Sequence, residues 1–207
     1  MPDRLIVFGS GGHAKVVVEA ILARTPDRDV VILDDSEEAK GRYVLGKEVI
    51  GGRGELDLLT GASIVPAIGN NKARAEFLSW LRERGCRIET VVHPAATVAP
   101  SVKIGDGAFV SAGAIVIAEA RIGAGAIVNT AASVDHDCIV GEAAHVGPGV
   151  HLCGNVRIGA RTLVGVGSSV RPGISICDDV LLGAGSVVVE DIEEAGTYAG
   201  SPARRLR

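Results

Sequence analysis

The chain has 207 residues, of which 47% are hydrophobic and 28 are glycine, and its net charge is -4. So much aliphatic material excludes disorder as the main state, glycine without a period of three excludes collagen, and the acidic balance gives no support to a nucleic-acid partner. Only 3% of the residues are aromatic, so the core must be built from Val, Ile, Leu and Ala. No apolar run reaches the length of a transmembrane helix, and Leu5 to Phe8 is too short for a signal-peptide core, so no membrane insertion is expected. Cys86, Cys138, Cys153 and Cys177 form no CxxC pair. They read as reduced thiols of a cytoplasmic protein.

The first predicted element is a strand at Leu5 to Phe8, followed by Gly9-Ser10-Gly11-Gly12-His13-Ala14 and an amphipathic helix from Lys15 to Arg24. A second strand, Val30 to Leu33, ends in Asp34-Asp35, and a third, Ile64 to Ile68, ends in Gly69-Asn70-Asn71. Ala73 to Arg84 has helical spacing, with Phe77, Trp80 and Leu81 on one face. This alternation predicts a small parallel sheet with flanking helices, an α/β Rossmann-like domain over residues 1–90. A glycine-rich strand-to-helix turn lets a phosphate approach the backbone and meet the N–H groups of the helix start. Gly9-x-Gly11-x-x-Ala14 also matches the relaxed dinucleotide fingerprint, with Asp34 where a ribose-binding acid would stand. The chain changes character near residue 90 and leaves no room for the second half of a dinucleotide domain, so a mononucleotide fits better. A tight turn with no ligand is the alternative.

From Val92 to Val188 every sixth residue is Val, Ile or Leu. The residue four places after each anchor is usually small, as at Ala108, Ala114, Ala126 and Ala132, and glycine often follows the anchor directly, as at Gly105, Gly123, Gly141 and Gly159. A period of six with β-branched anchors fits neither a helix nor a hairpin. It fits a parallel β-helix of hexapeptide repeats, three to a triangular coil, over residues 91–190, with residues 191–207 closing it. Glycine is expected to supply the corner dihedrals. A narrow interior leaves no space for rings, and Phe109 is the only ring between Val92 and Val188.

This register also places the chemistry. His136 stands two residues past the anchor Val134, on the outside of the coil, between Asp135 and Asp137. Both acids favour imidazolium and raise the basicity of the ring. One coil further on lies Gly154. It leaves open space beside the imidazole and an N–H that is a candidate oxyanion donor. A zinc site of the kind that γ-class carbonic anhydrases build on such coils would need histidines stacked on one face. His136, His145 and His151 are nine and six residues apart, so no two of them stack within one chain.

The repeat and the tail segment Ala199-Gly200-Ser201-Pro202-Ala203-Arg204 resemble the hexapeptide-repeat acyltransferases, whose β-helix is left-handed. Together with GSGGHA, Leu33-Asp34-Asp35, Ala67-Ile68-Gly69-Asn70-Asn71 and Asn129-Thr130 through Asp135-His136-Asp137-Cys138, essentially the whole chain resembles one family. That family comprises the bacterial nucleotide-amino-sugar N-acetyltransferases and the related sialic-acid O-acetyltransferases. The resemblance implies a homotrimer whose N-terminal domain holds a nucleotide-sugar and whose β-helix holds acetyl-CoA, with no metal. It implies His136 as general base, oriented by Asp137, where many members carry Glu at both flanking positions. It implies contacts to acetyl-CoA from His145 and the backbones of Val166 and Ala184, to which the register adds Gly154. It implies acceptor contacts from Gly11, Gly12, His13, Asp34, Asp35, Gly69, Asn70 and Asn129. His93 and His151 receive no role. The expected reaction is acetyl transfer to the 4-amino group of a nucleotide-linked amino-deoxy sugar. Acetylation of a sugar hydroxyl, and a non-catalytic nucleotide-sugar-binding subunit, are the alternatives.

Overall fold

The computed structural model describes residues 4–58 and 61–206. The chain begins with β1 (Leu5–Phe8), α1 (Gly12–Arg24) and β2 (Val30–Leu33), then β3 (Tyr43–Val44), β4 (Lys47–Gly51), β5 (Ser63–Pro66) and α2 (Asn71–Glu83). Among the described residues these strands form one sheet in the order β3-β4-β2-β1-β5, parallel except for the β3–β4 hairpin. The sequence pattern predicts β1, β2, β5 and both helices but not this hairpin. Its turn is Leu45-Gly46, both with positive φ, and its strands are too short for a periodicity signal. The hairpin extends the sheet beyond β2.

A parallel bridge from Ile64 to Ile88 carries the chain out of the sheet, and the first coil strand is Val91–Val92. From there the hexapeptides run as a left-handed parallel β-helix of three sheets. Each strand pairs in register with the one eighteen residues on: Ile115 with Ser133, Arg121 with Ile139, Ile127 with His145. The anchors Val116, Val128, Val134, Val146 and Val164 are fully buried in one continuous column. Four places after the anchors, Ala stands at seven of seventeen positions, and Val150, Val156, Ile174 and Val180 are also buried there. The interior is less uniformly small than the pattern predicts. Thr162, Ser168 and Ser186 bury hydroxyls, each bonded to a backbone carbonyl. The closing segment adds Gly196–Gly200 and Ala203–Arg205 to the sheet that begins at Val91–Val92.

Glycine supplies the corner dihedral, as expected, at Gly107, Gly113, Gly125, Gly149, Gly167, Gly173 and Gly185, but that is only part of its use. The left-handed corner residue lies three places after the anchor, and half of these are not glycine: Glu119, Ala131, Asp137, Ala143, Asn155, Arg161 and Asp179 all have φ between 51° and 61°. The glycines directly after the anchors form a column on one edge. A Cβ on Gly105, Gly123, Gly141 or Gly159 would meet the backbone of the next coil at 2.3–2.7 Å. They are required by close approach of coils, not by dihedral.

The two halves share a core. Val91, Phe109 and Ile127 point out of the coil and are buried with Val17, Ile21 and Val65 of the α/β half. Phe109, the one ring of the repeat, therefore lies outside the column, against the N-terminal half. The tightest joint is Arg74 of α2, whose side chain is 0% exposed. Its guanidinium donates to Gly125 O (2.6 Å) and Ala143 O (2.9 Å) of the coil and to Ile68 O (2.7 Å) and Asn71 Oδ1 (2.7 Å) of its own half. Burial lowers its pKa to about 10, so it remains a cation at neutral pH. Asn71 Nδ2 donates to Arg161 O, and Arg82 pairs with Glu142 beside it.

Arg74→Met keeps the bulk but leaves the four carbonyls of Ile68, Gly69, Gly125 and Ala143 without this donor. The expected loss is about 3 kcal/mol, read as a lower denaturant midpoint.

Candidate active site

The β1–α1 turn shapes a cleft of about 570 Å³. Gly9 has φ +118° and its Cβ would lie 2.6 Å from Ala67 O, so glycine is fixed there by the crossing of β5. Gly11 and Gly12 differ, because a Cβ on either would meet nothing within 4 Å. Gly11 caps α1 without a side-chain hydrogen bond, and the first turn of the helix holds no acid. The helix start thus presents bare N–H groups and its positive dipole end to the cleft.

Of the sequence candidates, Gly11, Gly12, His13, Asp34, Asp35 and Gly69 line this cleft. The two acids are already engaged. Asp34 Oδ2 accepts from Ser10 N (2.7 Å) and Ser10 Oγ (2.6 Å), and its Oδ1 accepts from Ser36 N. It braces the glycine-rich turn. Asp35 accepts from the backbone and side chain of Arg53. Asn70 spends its side chain on capping α2, accepting from Ala73 N at 2.9 Å. It opens on a second cavity of about 260 Å³ that shares Gly69 with the first and contains His145. Sequence reasoning missed Arg53, Glu76 and Trp80 as cleft residues; Glu76, Phe77 and Trp80 recur at helical spacing with Ala73 along one face of α2.

His145 stands on the outer side of the sheet that the N-terminal half covers, in register with Ile127. Asn129 Oδ1 accepts from Thr130 N, so its Nδ2 faces His145 Nε2 at 2.9 Å and the imidazole accepts there. His13 meets Phe109 edge-on at 5.3 Å. Burial, and then the Arg74 cation, push His13 down to about 3 and His145 down to about 4, with His145 adding a smaller push on His13. Both are neutral at physiological pH. His13 Nε2 is buried and has no hydrogen-bond partner among the described residues.

His136 occupies a different edge of the triangle, the corner after the strand Ser133–Val134. Its neighbour Asp137 has φ 59°, a left-handed conformation that Asp tolerates. That turn brings Asp137 Oδ2 to 2.8 Å from His136 Nδ1, so the shorter acid reaches as a Glu would. Asp135 Oδ1 accepts from His136 N at 2.7 Å. The hydrogen bond to Asp137 raises the His136 pKa, aided by the charges of both acids. With Asp137 holding Nδ1–H, the lone pair of the neutral ring is on Nε2. Gly154 lies against that atom, and a Cβ there would fall 2.4 Å from Nε2. The Gly154 N–H makes no hydrogen bond among the described residues.

Val166 and Ala184 stack on a third location, the corner following the sheet of Ile127 and His145. Both are exposed, and Gly185 N donates to Val166 O. One chain therefore does not assemble every candidate: the cleft, the His136–Gly154 pair and the Val166–Ala184 ridge belong to different parts of the coil. Among the described residues, no three His, Cys, Asp or Glu side chains converge as a metal site would require, and no helix is long and apolar enough to cross a membrane.

The PglD N-terminal domain family matches residues 4–81, and the hexapeptide repeat of succinyl-transferase matches residues 155–190. The acetyltransferase domain of PglB from Neisseria gonorrhoeae superposes with a TM-score of 0.93 at 39% identity, over 99% of this chain and 100% of that one. The chain belongs to the acetyl-CoA-dependent sugar N-acetyltransferases of the hexapeptide-repeat class. Perosamine N-acetyltransferase from Caulobacter crescentus, solved with CoA and GDP-perosamine, superposes at 0.92 with 39% identity, over 98% of this chain and 96% of that one. UDP-N-acetylbacillosamine N-acetyltransferase from Bacillus subtilis is 37% identical over 51% of this chain, and the match spans 50% of that protein's length.

Within this family member, Asp137→Asn removes the largest cause of the raised His136 pKa. The imidazole titration midpoint, followed by NMR of its Cε1–H, is expected to move to lower pH. Gly154→Ala is expected to displace the ring and broaden or shift the same resonance while the thermal midpoint changes little.

Proposed function

We propose that this protein transfers the acetyl group of acetyl-CoA to the 4-amino group of a nucleotide-linked amino-deoxy sugar, with His136 as general base. The observation that carries this reading is the His136–Asp137–Gly154 arrangement: an exposed imidazole with its basic nitrogen set against a bare glycine and its other nitrogen held by a carboxylate. An imidazole of raised pKa is suited to accept a proton from an attacking ammonium-derived amine near neutral pH.

The chemistry closes without a metal or an acyl-enzyme. The amine nitrogen attacks the thioester carbonyl carbon, forming the N–C bond and moving the C=O electron pair onto oxygen. Gly154 N–H donates to that oxyanion. His136 Nε2 takes the amine proton. The tetrahedral carbon re-forms C=O and expels CoA, whose sulfur receives the proton. His145 and the backbones of Val166 and Ala184 hold acetyl-CoA. Gly11 and Gly12 receive the diphosphate at the start of α1, and His13, Asp34, Asp35, Gly69, Asn70 and Asn129 complete the acceptor site.

Because His136 and the acceptor cleft lie on different parts of one coil, a neighbouring copy is needed to unite them. Three copies close such a head-to-tail contact into a ring, and we assign a homotrimer. The free cysteines suit the reducing cytoplasm, where we place the reaction.

His136→Ala is expected to lower kcat by about 10²–10⁴-fold and to leave nucleotide-sugar affinity within a factor of two. Near-normal thiol release in that variant would sink the assignment. Mixed trimers of His136→Ala with a cleft-blocked Gly11→Trp chain are expected to regain activity. No recovery on co-expression would show that one chain supplies the whole site.

A further inference from the structure

We infer that the cleft selects a guanine nucleotide, through a stacking platform at Arg53 and an edge contact from Glu76. The inference rests on the nucleotide-sugar reading above.

Three rings stand in a row beside the cleft. Phe8 and Phe77 stack at 4.0 Å with 22° between planes, and Phe77 and Trp80 at 5.8 Å with 12°. The Arg53 guanidinium lies 5.9, 5.6 and 5.2 Å from the centroids of Phe8, Phe77 and Trp80 in turn. Its Nε donates to Asp35 Oδ2 at 2.7 Å, so its charge is compensated within the protein. An arginine held in this way has little charge left for a diphosphate. The bare start of α1 at Gly11 and Gly12 serves the diphosphate instead. What Arg53 offers the cleft is a flat, weakly hydrated π surface fixed in orientation, which suits a nucleobase face.

Stacking alone accepts any base, so identity must come from a hydrogen-bonding edge. On the cleft face of α2, Ala73, Glu76, Phe77 and Trp80 follow one another at helical spacing. Glu76 is the one carboxylate that α2 contributes to the cleft lining. It is exposed, and among the described residues its carboxylate has no hydrogen-bond or ion-pair partner. The other two acids of the cleft, Asp34 and Asp35, are engaged with Ser10, Ser36 and Arg53.

A free carboxylate accepts two parallel hydrogen bonds from adjacent donors. Guanine offers N1–H and N2–H side by side. Uracil and thymine offer one N–H between two carbonyl oxygens that repel the acid, and cytosine and adenine set an amino group beside an acceptor nitrogen. Guanine is the base that this face fits.

Calorimetric titration of the full chain with GDP, UDP and dTDP tests it. GDP is expected to bind about tenfold or more tightly than the other two. Glu76→Gln is expected to bring GDP to the level of UDP and leave UDP unchanged, and Arg53→Ala to weaken all three alike. UDP or dTDP binding as tightly as GDP overturns the inference and leaves the nucleotide-sugar reading standing. Equal weakening of GDP and UDP by Glu76→Gln overturns it in the same way. Binding of none of the three overturns the nucleotide-sugar reading itself, and this inference with it.

Discussion

A buried guanidinium without a carboxylate partner holds this protein in its working shape. Arg74 satisfies its donors on main-chain carbonyls from two loops of the coil and from the end of β5, and on one side-chain amide. Carbonyls carry only partial charge, so the site remains net positive. That positive charge, in a space sealed from water, helps keep His13 and His145 neutral. The same side chain fixes where the N-terminal cleft stands over the coil. Docking and electrostatics thus converge on one residue.

The coil works as a ruler with a spacing of eighteen residues. Whatever stands at one position lies against the residue one turn on, and the backbone approach leaves little slack. On one edge this demands the column Gly105, Gly123, Gly141 and Gly159, whose missing side chains let successive coils touch. On another edge the same rule sets Gly154 against His136 Nε2. Sites on rigid elements hold their geometry better than sites on loops, and here the rigid element is the repeat itself. The left-handed corner that Asp137 occupies is one of a series. Its use to orient an imidazole costs the fold no special strain beyond what its neighbours already bear.

The repeat also separates the parts of the candidate site. The sheet that starts at Val91–Val92 is covered by the α/β half through Phe109 and Ile127, and it presents His145 beside Asn129. His136 lies at a corner that this half does not cover, with its side chain 58% exposed. Cleft and imidazole are each preorganised, at separate places on one coil.

Much of this was legible in the sequence because a strict repeat makes spatial neighbours computable from residue numbers. The six-residue register identified the β-helix and paired Gly154 with His136, and strand and turn signals placed Gly11, Gly12 and the cleft beside them. Even the covered face has a signal: of the six residues before the anchors on that sheet, Val91, Phe109, Ile127, Leu163 and Leu181 are apolar and His145 is the exception. The tertiary structure decided what no period encodes. Asp34 and Asn70 turned out to brace Ser10 and cap α2, and Arg53 joined the cleft from across a hairpin too short to show a pattern. Arg74 reads in sequence as an ordinary polar helix residue. Its role arises only where two loops of the coil expose carbonyls that nothing else satisfies, and that is a property of how the halves meet.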